Sequence, residues 1–181
     1  MRNGLPFGET PGKPDAKALQ LTGTPPSQPQ THFQVKTKMN SLLEYQIAIA
    51  AALNADETLR QGGCTALAED SKDLLFEVAR CVDEQGEVAI VVTTPEAERL
   101  GDDDGAIAVE IPALEIVCVE KPGVNRTRDN AATALQAAQR VARVLDSPEL
   151  HFLRIRQESD DRAGTLSAIA SFQTSATLDL A

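Results

Sequence analysis

The chain has 181 residues, 42% of them hydrophobic, and 17 Lys and Arg against 27 Asp and Glu, for a formal net charge of −10. That is one domain's worth of chain with enough apolar material for a core, which excludes wholesale disorder. Aromatics at 3% are too scarce for a base-stacking surface, and the acidic balance has the wrong sign for a dedicated nucleic-acid binder, which neutralises phosphates with Lys and Arg.

Residues 1–40 differ from the rest. They hold six of the ten prolines and four of the eleven glycines, with five basic residues (Arg2, Lys13, Lys17, Lys36, Lys38) and two acidic ones (Glu9, Asp15). No helical or strand period is read in them, and Pro25, Pro26 and Pro29 favour extended backbone. The expectation is an extended basic arm, 1–40, on an acidic α+β body, 41–181. Such an arm either lies on a neighbouring copy of the body or is a solvated tail. Met1–Gly12 has no apolar stretch of the kind a secretory signal carries, and no window approaches the roughly 18 apolar residues of a membrane span.

Ser41-Leu-Leu-Glu44 is a capping-box pattern and predicts a helix over 41–54. A polar stretch with Gly62-Gly63 follows. Asp70 or Ser71 then caps a second helix, 71–82, with Leu74, Leu75, Val78, Ala79 and Val82 as its stripe. Val88–Val92 is a β-branched run that reads as a strand buried on both faces. Residues 94–105, with Asp102-Asp103-Asp104, read as a solvated loop. Calcium is disfavoured there because the spacing matches no EF-hand loop. Ile107 to Ile111 and Leu114 to Val119 predict a strand interrupted at Pro112, which marks a bulge, a bend or an edge. A third helix spans about 129–146, with Asn130 as a possible cap and Ser147-Pro148 as its stop. Phe152–Gln157 and Leu166–Leu178 predict a hairpin about the turn 159–164. Together these elements predict an α+β fold: an antiparallel or mixed sheet with helices packed on one face.

Motifs that carry chemistry are few. No glycine-rich phosphate loop or nucleophile elbow occurs. Cys64, Cys81 and Cys118 are isolated and read as buried thiols in a reducing compartment, and neither His32 nor His151 has the partners of a metal site. Acidic pairs such as Glu69-Asp70 and Asp160-Asp161 fall in turns, where carboxylates are expected. Asn125-Arg126, between a strand and a helix, is either an anion site or an ordinary loop. No catalytic residue, cofactor or metal is expected. A hydrolase using Asp102–Asp104 with Glu110 is the least favoured reading.

Glu115-Ile-Val-Cys-Val-Glu-Lys-Pro-Gly-Val-Asn-Arg126, inside the longer run from Glu110 and followed by the helix Thr133–Leu145, resembles the tail-completion proteins of prophages. There a strand of the form E-x-V-x-V-E-x-P-x-x-N-R runs into an amphipathic helix. Leu53-Asn-Ala-Asp56 and Ile90–Pro95 match the same layout, and the element order is similar to the tail-terminator group over about 42–180. The resemblance implies a structural virion subunit, not an enzyme, assembled in the host cytoplasm. It would form a ring, usually a hexamer, at the head-proximal end of the tail tube, ending tube growth and joining it to the neck. Its partners would be itself, the tube and the connector, with DNA passing through without specific binding and no membrane. Arg2, Lys13, Lys17, Lys36, Lys38, Asn125 and Arg126 are then expected at inter-subunit contacts. The alternative is a monomeric or dimeric α+β binding domain with a disordered N-terminal tail.

Overall fold

Ser41 starts the first helix as its pattern predicts: its backbone is extended and its hydroxyl accepts from the Glu44 amide at 3.1 Å. In the computed structural model the described residues are 38–39, 41–103, 106–125 and 131–179, all within the compact unit Thr31–Ala181. The elements in chain order are β1 (Lys38–Met39), α1 (Leu42–Ala55), α2 (Glu57–Gln61), β2 (Cys64–Ala68), α3 (Leu74–Ala79) with a wide π-helical turn (Arg80–Glu84), β3 (Val88–Val92) and β4 (Glu96–Asp103). They continue with β5 (Ala106–Glu120), α4 (Pro122–Asn125), α5 (Ala134–Leu145), β6 (Leu150–Asp160) and β7 (Thr165–Asp179).

Among the described residues the strands make one mixed sheet. Its path is β1-β7-β5-β3-β2, with β4 beside β5 and β6 beside β7. β2 runs parallel to β3 and β1 parallel to β7; the other pairings are antiparallel. The fold is α+β, as expected. β5 and β7 pair over nearly their whole 15-residue lengths, and their register shifts between Ile111 and Leu114, the position of Pro112. A proline there costs no ladder bond because the ladder is already offset.

Strand alternation sorts the sheet's two faces. Ile111, Leu114, Ile116 and Cys118 of β5 and Ala168, Ala170 and Phe172 of β7 are buried in the main core with Val88 and Ile90 of β3. α1 and α5 cover that face with Tyr45, Ile49 and Leu53, and with Ala134, Ala138, Val141 and Leu145. The alanines of α5 let its backbone sit close to the strands. On the opposite face the π turn places Cys81 and Val82 over Ala89, with Val78 and Val119 against them. The helices are therefore not all on one face: two long ones share it, and α3 with its turn covers a small part of the other.

Five of the predicted assignments need correction. The acidic segment 94–105 is not a loop: residues 96–103 form β4, paired with β5 from Ala113 to Ala106. The second helix is shorter than 71–82, starting at Leu74, and Asp73 at its N-cap makes no side-chain capping bond. α5 starts at Ala134 under a capping box of Thr133 and Gln136, so the cap is neither Asn130 nor a residue near 129. The polar stretch before Gly62 holds α2, and Cys64–Ala68 after it is β2. Lys38 and Met39, assigned to the arm, form a strand paired with Thr177 and Leu178.

Candidate assembly surfaces

The strand-to-helix segment that carries the resemblance is held by one buried carboxylate. Glu120 ends β5 at 5% exposure. Its Oε1 accepts from the Ala134 amide at 3.0 Å and its Oε2 from Asn125 Nδ2 at 2.6 Å. The same Asn125 nitrogen donates to the Ala132 carbonyl at 2.9 Å. Glu120 thus supplies an anion to the first turn of α5, where free amides and the helix dipole favour it. Pro122 opens α4 at the position where a missing N–H costs nothing.

Asn125 is itself 5% exposed. Its side chain ties loop to strand inside the subunit. Lys38 lies in β1. Arg2, Lys13, Lys17, Lys36 and Arg126 lie outside the described residues.

A second junction ties α5 to the start of α2. Asp56 caps α2 by accepting from the Leu59 amide at 3.0 Å and receives Arg140 through Nε at 3.0 Å and Nη2 at 2.6 Å. The bidentate hydrogen bonds from Arg140 hold the Asp56 carboxyl below the usual carboxylate range and raise Arg140. Beside it, Ala132 donates to the Gly62 carbonyl at 2.9 Å. A Cβ at Gly62 would stand 2.9 Å from that of Ala132. An open groove of about 590 Å³ lies between α2 and α5, lined by Gln61, Gln136, Gln139, Arg140 and Arg143.

On the sheet face away from α1 and α5, Arg156 of β6 reaches across β7 to both carboxylate oxygens of Glu115, at 3.0 Å through Nη2, and meets Glu158 at 3.1 Å. Those hydrogen bonds hold Glu115 below its usual range. Glu110 pairs in register with Glu98 and accepts from Gln173 at 3.0 Å. Asp102 sits opposite Ile107, three residues away along β5, so the backbone spreads the acidic residues along the strand instead of converging them. Among the described residues no group of three or more His, Cys, Asp or Glu is placed to hold a metal ion. The three cysteines are free and buried, and burial pushes the Cys64 thiol up to about 12, so it is a poor nucleophile.

The two sheet edges differ. At β2 the Asn54 side chain accepts from the Ala66 amide and donates to the Ala66 carbonyl, both at 2.8 Å, while Ser71 donates to the Ala68 carbonyl at 3.1 Å. That edge is sealed against another strand. At the other edge β6 has a partner strand on one side only among the described residues.

Among the described residues large apolar side chains reach solvent in four places: Leu75 (84%) and Phe76 (65%) on α3, Leu153 (50%) on β6, Leu166 (38%) at the start of β7, and Leu43 with Ile47 on the outer side of α1. The sequence stripe assigned Leu75 to the core. It misses because α3 is one and a half turns long and turns only Leu74 and Val78 inward.

No protein-family model matches the chain, and no curated protein matches it. Among solved structures it is similar to a chain of the virion of a native gene transfer agent particle, at 15% identity and a TM-score of 0.47, over 73% of this chain and 93% of that one.

Proposed function

We propose that the chain is a structural subunit of a phage-like tail that closes into a ring at the head-proximal end of the tube, ends tube growth and joins the tube to the neck. The observation that carries this reading is the segment Glu110–Leu145. Within it the end of β5 is tied to the first turn of α5 by the Glu120 carboxylate, which accepts from both the Asn125 side chain and the Ala134 amide. A strand and helix so fixed give a rigid wedge, which a repeating ring needs from each subunit.

Two physical features agree with it. A net charge of −10 keeps duplex DNA from sticking to a lumen it must slide through. Apolar side chains bared at both ends of the sheet suit a subunit with a neighbour on either side. In this reading the tube and the connector contact the ring's two rims, the protein works in the virion without catalysis or cofactor, and the basic residues of 1–40 meet the acidic body of the next copy.

The test is genetic and visual. In a strain that carries the gene and releases particles, its deletion is expected to leave heads without joined tails and tubes of uneven length. Joined tails of uniform length after deletion would overturn the reading.

A further inference from the structure

We draw no further inference here: the strongest candidate, the outer side of α1, where Leu43 and Ile47 are bared on a helix whose one charged residue is Glu44, carries nothing because nothing in the structure shows what covers it.

Discussion

Asp56 shows how one side chain sets the positions of several elements. It caps α2, receives the guanidinium of α5 and sits where α1 ends. Asp56→Ala removes a cap and an ion pair whose Arg140 side is 37% exposed, and should cost about 1–2 kcal/mol in urea unfolding. The pH dependence follows from its lowered pKa and that of Glu115. Both carboxyls bind protons more readily unfolded than folded. Their contribution is therefore complete above the ordinary carboxylate values of 3.8 and 4.5 and is lost as pH falls through the lower folded ones. Acid unfolding of an Asp56→Asn/Glu115→Gln protein should show a shallower stability loss below about pH 5 than the parent. An unchanged acid limb would remove both pairs from the stability argument.

Gln46 and the glycines make a second residue-scale test. Gln46 is fully buried in α1, and its amide nitrogen and oxygen find no partner among the described residues. Gln46→Met should raise stability by about 1 kcal/mol, since it keeps the volume and removes the unpaired amide. Gly164 adopts φ +66 in the β6–β7 turn with open space around it, so Gly164→Ala should cost about 1 kcal/mol through the backbone alone. Gly123 has neither constraint, and Gly123→Ala should be neutral.

At the scale of elements, the β2 seal predicts what its removal does. Asn54→Ala takes away both bonds to Ala66 and bares an edge. It should lower stability by about 1–3 kcal/mol and raise concentration-dependent light scattering, because an unpaired edge recruits strands. Loss of stability without added association would mean that the amide braces α1 only. The elements legible in the sequence are those whose own residues specify them: α1 through its cap and apolar spacing, β3 through a β-branched run, the hairpin through its turn, and the break at Pro112 through the missing donor. β2 and β4 were not legible. Cys64–Ala68 is mostly alanine-like, and Glu96–Asp103 is mostly charged, so neither has strand preference of its own; each is a strand because β3 or β5 offers it a ladder. The Glu120–Asn125 latch was only half legible: the motif drew attention to Asn125, but its inward orientation depends on where the loop folds.

For the whole molecule the decisive property is association. In the ring reading, copies related by a rotation that divides the circle close into a ring, and otherwise run into open filaments. The segment before β1 adds a contact in this reading. Deleting residues 1–37 should leave the body's thermal unfolding intact and weaken ring formation; a truncated chain that assembles as well as the parent would remove the arm from the interface. The measurement that tests the central claim most directly is native mass spectrometry of the full-length protein. A single discrete assembly near six copies of the 19.3 kDa chain is expected. A spectrum holding only monomer, or a two-copy species that grows no further, would contradict it.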